Sequence, residues 1–403
     1  MDTNNPHTSV SNVRRNIPLI AVLNFCTDFI LYGPVAILYF SRVAGSYALG
    51  MSIFSGTMLS AAAFQIPTGV FSDLYGRKRT VVLGAVCASA AAVSYAIGGA
   101  YLVLLIGSLF AGLARSLYSG NNEALLYATL AQEGKESDFH HYLGKTGSLF
   151  QVALAVSAVL GGFLAGKSFA LVMWLSVIPQ VLGFCVSLWL IEPDRKATGS
   201  AHGTNVLGKA LLQFRRNRRL RLLTISSVLR YSFGEASYQF RAAFVRTLWP
   251  LWAIGLSAGL GNALAAASFY FAGKVITRLT ALRVLSLDTV LPRAVNVAML
   301  AFPTVASPAV MAATGLTYGV STVAEGSLLQ REFTEGERAT LGSLNSLAGS
   351  VAFSIFAIGL GAVGDRIGPA KTLILVQIVL VIPIFLYRRI FVHAGSPEDM
   401  TSR

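Results

Sequence analysis

The chain has 403 residues, of which 54% are hydrophobic and only 12% charged, and its mean hydropathy is +0.62. A soluble domain of this length cannot hide so much apolar surface, so composition excludes an ordinary globular protein and favours a polytopic membrane protein. The net charge of +14 would suggest a nucleic-acid partner in a soluble chain, but the placement of the charge argues against one.

Residues 1–13 are polar and carry no apolar core of a secretory signal. Beyond them, apolar runs recur at the length needed to cross a hydrocarbon core of about 30 Å. They predict twelve spans, at 16–40, 48–70, 80–99, 101–130, 142–166, 168–190, 220–245, 249–273, 284–304, 306–330, 339–362 and 370–390. With both termini cytoplasmic, most of the 32 Lys and Arg residues fall on the inner side. The densest cluster is Arg215, Arg216, Arg218, Arg219 and Arg221, whose natural partners are anionic lipid headgroups. Cys26, Cys87 and Cys185 sit in apolar runs without metal-ligand spacing and read as packing residues, so no metal is expected.

Between spans two and three runs a short charged loop, Gly69 to Val81, holding Asp73, Gly76, Arg77, Lys78 and Arg79. Gly69 would let helices approach and Gly76 would allow the turn, while Asp73 can cap a helix N-terminus or pair with Arg77. The pattern resembles the G-x-x-x-D-x-x-G-R-[KR]-[KR] loop of major facilitator superfamily transporters. That resemblance implies a solute carrier with a cavity lined by spans one, four, seven and ten, and a charged loop that holds one access state closed.

Farther along, residues 192–219 form a long polar segment with Pro193, Gly199, Gly203 and Gly208. They read as a cytoplasmic linker between an N-terminal half, 1–191, and a C-terminal half, 220–403. An internal repeat supports the division: one shift superposes Ser119 on Ser321, Glu123 on Glu325 and Leu126 on Leu328. It also matches Glu133-Gly134 to Glu335-Gly336, Gly147-Ser148 to Gly349-Ser350, and Gly162 to Gly364. A worn copy of the charged loop, with Gly273, Lys274, Arg278 and Arg283, lacks the acid. The expected fold is all-α, twelve transmembrane helices in two six-helix pseudo-symmetric halves, as the resemblance also implies.

Charges within spans are costly and become functional candidates. Asp28 in span one and Arg115 in span four lie at similar depth and are expected to pair, either in the pathway or as a structural ion pair. Asn121, Asn122 and Glu123 extend the polar stretch of span four. Arg230 and Glu235 occupy span seven and Glu325 span ten, with Arg230 and Glu325 at compatible depths. Glu123, Glu325, Asp28 and Glu235, in that order, are the proton candidates. Asp288 and Arg293 flank Pro292 in span nine and read as a local pair or a misplaced helix start. Tyr32, Tyr118, Phe233, Tyr238 and Phe240 could supply aromatic cavity surface or ordinary packing.

Other motifs weigh less. Gly161 to Ser168 formally satisfies the P-loop pattern but ends a membrane helix with no strand before it, so no ATP binding is expected. Ser157 to Gly162 sits where antiporters of the resembled family show G-P-x-x-G-G, and here the Gly-Pro is missing. The run Ser119 to Tyr127 resembles an S-G-x-x-E-A-L-x-Y stretch of bacterial exporter-like members. His140 and His141 read as loop surface.

Together these features point to a monomeric secondary transporter of a bacterial inner membrane that needs no cofactor and draws on a proton gradient. Its cargo would be a small amphiphilic or cationic compound, a drug or a metabolite such as a siderophore, moved outward. Uptake of a sugar, organic acid or peptide is the alternative within transport. A non-transporting membrane sensor or membrane enzyme is the alternative of another class, opposed by the lack of a catalytic constellation.

Overall fold

The computed structural model describes residues 13–135, 138–193, 206–333 and 338–392. Their architecture is helical throughout. Span one is α1 (Asn16–Asp28), a one-turn 3-10 segment at Gly33–Val35, and α2 (Ala36–Ala44). Spans two and three are α3 (Tyr47–Tyr75) and α4 (Arg77–Ile97). Span four is split into α5 (Tyr101–Tyr118) and α6 (Asn121–Gln132). Spans five and six are α7 (Phe139–Lys167) and α8 (Phe169–Leu188).

A short helix, α9 (Val206–Arg216), lies in the segment expected as a plain polar linker. Spans seven to nine are α10 (Arg218–Leu248), α11 (Ile254–Leu279) and α12 (Ala281–Ala301). Span ten is α13 (Ser307–Ala313) with α14 (Gly315–Glu332), span eleven α15 (Arg338–Ile367), and span twelve α16 (Pro369–Val379) with α17 (Ile382–Val392). Among the described residues, 10 stretches are long and apolar enough to cross a membrane. Spans seven and ten complete the twelve. They fall short of that apolar standard because Arg230, Glu235 and Arg241 interrupt α10, and the 18-residue α14 holds Glu325, Arg331 and Glu332.

Two compact units emerge, Met1–Gly199 with Pro250–Gly259, and Ser200–Trp249 with Leu260–Arg403. The repeat matches at Glu335 and Gly336, and linker residues 194–205, lie outside the described residues; so do the side chains of His140, His141, Gly147 and Ser148. The two histidines belong to the first turn of α7 rather than to a loop.

In the first unit α5 packs between α3 and α4, and α8 covers α4 and α1. Small residues permit this: a Cβ at Gly112 would run into the Thr57 carbonyl and Ser60 of α3. The glycines of the P-loop-like run do similar work. A Cβ at Gly161 would strike the Leu31 carbonyl, one at Gly162 would lie 2.7 Å from the Gly255 nitrogen, and one at Gly166 2.6 Å from Trp252 Cβ. They sit inside a continuous helix, where close backbone packing rather than a phosphate-cradling loop accounts for them.

Asn16 closes the bundle at one end. Fully buried, it accepts from the Ile191 N–H at 2.9 Å and donates to the Ile191 carbonyl at 2.8 Å and Thr129 Oγ1 at 3.2 Å. This one amide ties the start of span one to the end of span six and to α6. Replacing it with leucine would strand the Ile191 backbone groups, so Asn16→Leu is expected to lower unfolding stability in detergent by about 1–3 kcal/mol. An unchanged denaturation midpoint would contradict this role.

Candidate functional site

The charged loop between α3 and α4 makes its turn at Gly76, where φ is +99°, a region an L side chain rarely adopts. Because Gly76 offers no side chain to cap α4, the first N–H groups of that helix need an outside acceptor. Glu192, just past span six, supplies it. The Arg77 N–H donates to Glu192 Oε1 at 2.9 Å and the Lys78 N–H to Oε2 at 2.7 Å. The Arg77 side chain turns elsewhere, its Nη1 donating to the Ala124 carbonyl of α6 at 2.6 Å.

This corrects the expectation for Asp73, whose exposed side chain makes no hydrogen bond or ion pair among the described residues. Gly69 also differs: it lies inside α3 with open space where a Cβ would sit, so it does not bring helices together. In the second unit Gly273 and the exposed Arg278 likewise lie within α11. The turn there falls at Thr280, a non-glycine residue with φ +64°.

Both helix breaks in the first unit occur at the polar residues singled out from sequence. α1 stops at Asp28, which leaves carbonyls open in the middle of a span. Gln180 of α8 donates Nε2 to the carbonyls of Cys26 at 3.1 Å and Thr27 at 3.3 Å, and Ser176 Oγ accepts from the Tyr32 N–H at 3.2 Å. Non-helical backbone survives at such depth only where neighbours satisfy it in this way. Span four breaks at Ser119 and at Gly120, whose φ is +74°. There the buried Asn121 takes a hydrogen bond from Ser72 and donates to the Leu117 carbonyl at 2.8 Å. Asn121 therefore staples α3 to the break, with both ends of its amide engaged, rather than facing open space.

Asn122 donates to Asn24 Oδ1 at 2.8 Å and leaves its own buried Oδ1 without a partner. Glu123 is exposed and makes no side-chain hydrogen bond or ion pair among the described residues. Asp28 and Arg115 come within electrostatic reach of each other, yet no nitrogen–oxygen pair between them closes to 4.0 Å. The direct ion pair expected from sequence does not form. Instead Asp28 is the last residue of α1, at the carbonyl end that a helix dipole makes negative, and Arg115 lies within electrostatic range of it.

The second unit does the opposite and pairs its charges tightly. Arg230 of α10 meets Asp288 Oδ2 at 3.2 Å and Glu325 Oε2 at 3.8 Å, and donates to Ser321 Oγ at 2.9 Å. Thr317 donates to Asp288 Oδ1 at 2.6 Å, and the fully buried Tyr387 donates to Glu325 Oε1 at 2.8 Å. One guanidinium thus gathers α10, α12, α14 and α17.

The Arg230–Glu325 proximity expected from sequence is present, but Asp288 and Tyr387 were not anticipated as members. Asp288 does not pair with the Arg293 side chain as a local couple; Arg293 Nη1 donates at 2.8 Å to the backbone carbonyl of Asp288. Glu235 stands apart on α10, accepting from Gln239 at 2.8 Å. Of the aromatic candidates, Phe240 is a fully buried core residue. Phe233 packs against Phe356 with tilted rings, Tyr32 packs on Tyr95 and Phe40, and Tyr238 donates to Asn262 Oδ1 at 3.2 Å.

Two outcomes are expected from this geometry. Glu192→Ala should cost about 0.5–2 kcal/mol, the usual worth of a helix N-cap, and speed amide exchange at the start of α4. Asp73→Asn should leave that exchange unchanged; the reverse pattern would return the cap to Asp73. Arg230→Gln should cost about 3–5 kcal/mol by leaving two buried carboxylates uncompensated. Adding Asp288→Asn and Glu325→Gln should restore much of the loss, and a triple variant no more stable than the single one would contradict the cluster.

Comparisons with known proteins agree on the scaffold. The Inner membrane transport protein YajR of Escherichia coli (strain K12) is 27% identical over 134 residues, 33% of this chain and 28% of that protein. The chain therefore matches well under two thirds of the length of this curated relative. In the solved structures, the nucleoside transporter NupG superposes with a TM-score of 0.78 at 14% identity, covering 93% of this chain and 98% of its own. A bacterial homolog of the human lysosomal transporter Spinster, inward-facing and unoccupied, gives 0.76 at 15% identity, covering 96% and 99%. At such identities the likeness shows the fold alone. The sequence profile of the Major Facilitator Superfamily matches residues 19–357. Spanning most of the chain, that match places it in a family of non-enzymatic secondary transporters: this multi-pass membrane protein belongs to the Major Facilitator Superfamily.

Proposed function

We propose that the protein is a proton-coupled exporter of a small amphiphilic compound, working by alternating access in a bacterial inner membrane. Both termini are cytoplasmic and the protein acts as a monomer. Its two six-helix halves, 1–191 and 220–403, rock about the 192–219 segment, and the Gly69–Val81 loop, with Asp73, Gly76 and Arg77, closes one access state. The proton gradient is the energy source, and no cofactor is needed. A drug-like molecule or an endogenous metabolite such as a siderophore suits this reading as cargo.

The observation that carries the proposal is Asp28. It ends a broken helix within a membrane span, and its carboxylate makes no hydrogen bond or ion pair among the described residues. A carboxylate that meets water in one access state and low dielectric in the other takes up and releases a proton between them. Glu123, also unpartnered, stands two residues into α6 and is the second candidate. Glu325 ranks lower than its repeat position suggested, because Arg230 and Tyr387 hold both of its oxygens. The resemblance of Ser119–Tyr127 to exporter-like members supports the outward direction.

The test is an amide series in proteoliposomes: Asp28→Asn, Glu123→Gln, Glu235→Gln and Glu325→Gln. Asp28→Asn or Glu123→Gln should abolish gradient-driven accumulation while preserving exchange and expression, since cavity shape is retained. Glu325→Gln should instead lower folding stability and depress every transport mode together. Normal uphill accumulation in all four variants would contradict proton coupling through these residues.

A further inference from the structure

The second unit sets three intramembrane acids against three arginines, but two of the acids gather on one arginine. Asp288 is engaged by Arg230 and Thr317, Glu325 by Arg230 and Tyr387, and Glu235 by Gln239 on its own helix. Two arginines remain. Among the described residues the Arg241 side chain of α10 reaches the Met311 carbonyl of α13, at 3.5 Å through Nη1. Arg293 of α12 reaches the Asp288 carbonyl through its own Nη1 and feels the Asp288 carboxylate only at longer range.

Among the described residues no carboxylate oxygen lies within 4.0 Å of either guanidinium. The Nε of each is buried and has no hydrogen-bond acceptor.

Arg241 lies within electrostatic range of Arg293, and α13, which carries the Arg241 contact, packs against α12. Arg241 precedes the end of its helix at Leu248 by about two turns and Arg293 precedes Ala301 by about the same, which puts both roughly 10 Å inside the helix ends. One turn beyond Arg293, the buried Asn296 donates to Gln377 Oε1 at 3.3 Å. Like charges held together in a low-dielectric interior repel, and each is also desolvated. Two guanidinium N–H groups without acceptors are the complement of an oxyanion, which accepts charge-assisted hydrogen bonds from both.

We propose that Arg241 and Arg293 form a binding site for an oxyanion, the carboxylate or phosphate group of the transported solute. This deepens the transport reading above and rests on it: the cargo carries a negative group, being anionic or zwitterionic rather than simply cationic. A free inorganic anion shares the same chemistry, and the probes below separate the two sources.

The experiment is thermal unfolding of the purified full-length protein in detergent at constant ionic strength, with sodium benzoate or sodium phosphate titrated against sodium chloride. At least one oxyanion should raise the midpoint saturably, and chloride should not. Benzoate acting alone would indicate a carboxylate-bearing organic cargo; phosphate acting alone would indicate a phosphate group.

Arg241→Met and Arg293→Met should each weaken the response by roughly 10- to 100-fold. Each should also raise the midpoint in oxyanion-free buffer, because an uncompensated charge has gone. Arg241→Lys should retain a weakened response, and Arg246→Gln, at an exposed arginine bonded to the Trp249 carbonyl, should respond like the parent. No oxyanion response, an equal response in both methionine variants, or methionine variants that unfold more easily would overturn the site. Binding at equilibrium needs no gradient, so a normal response in a protein that fails the export assay would overturn the direction of transport and leave this site standing.

Discussion

The absence of water in the hydrocarbon region governs everything else in this molecule. Each backbone N–H and C=O, and each charge, must find its partner within the protein or carry the cost of having none. Helices answer that demand for most of the chain. Where spans one and four break, the answer comes from side chains: Gln180 and Ser176 of α8 for the first, and Ser72 and Asn121 for the second. These breaks are supported features, and the support arrives from helices far away in sequence. Discontinuous helices of this type are where transporters of several folds place their solute and ion sites.

The two units use the same repeat differently. Ser119 and Glu123 stand exposed beside a break in the first unit, whereas their counterparts Ser321 and Glu325 are buried in the Arg230 cluster of the second. The first unit thus leaves the Asp28 and Glu123 carboxylates unengaged among the described residues, whereas Asp288 and Glu325 of the second hold helices together. The loops diverge in the same way. Gly76 with Glu192 makes a capped turn in the first unit, while Thr280 makes the second turn with no glycine at all.

The amino-acid pattern made the fold legible. Twelve apolar runs and the loop of Asp73, Gly76 and Arg77 are local signals, and a local signal survives without knowledge of helix pairing. The interruptions of spans one and four were less visible, because Asp28 and Gly120 are single residues inside long apolar runs and hydropathy averages over them. Partners were least visible of all. Glu192 read as the start of a linker, yet it caps a helix 115 positions away. Asp288 read as the partner of the neighbouring Arg293, yet its carboxylate turns to Arg230 on another helix. Tyr387 is one more aromatic in an apolar stretch until α17 is packed against α10. Which helix faces which is a property of the bundle, and no spacing within one span encodes it.

The family assignment makes a solute the object of this machinery, and the proposed function makes a proton its coupling ion. Everted membrane vesicles that contain the protein and hold a respiration-generated pH gradient allow the most direct test, by fluorescence readout of that gradient. Solutes bearing a carboxylate or phosphate are added in turn. The account predicts that a transported solute partly dissipates the gradient in these vesicles and leaves it intact in vesicles lacking the protein. Solute movement with no change in the gradient would contradict proton coupling.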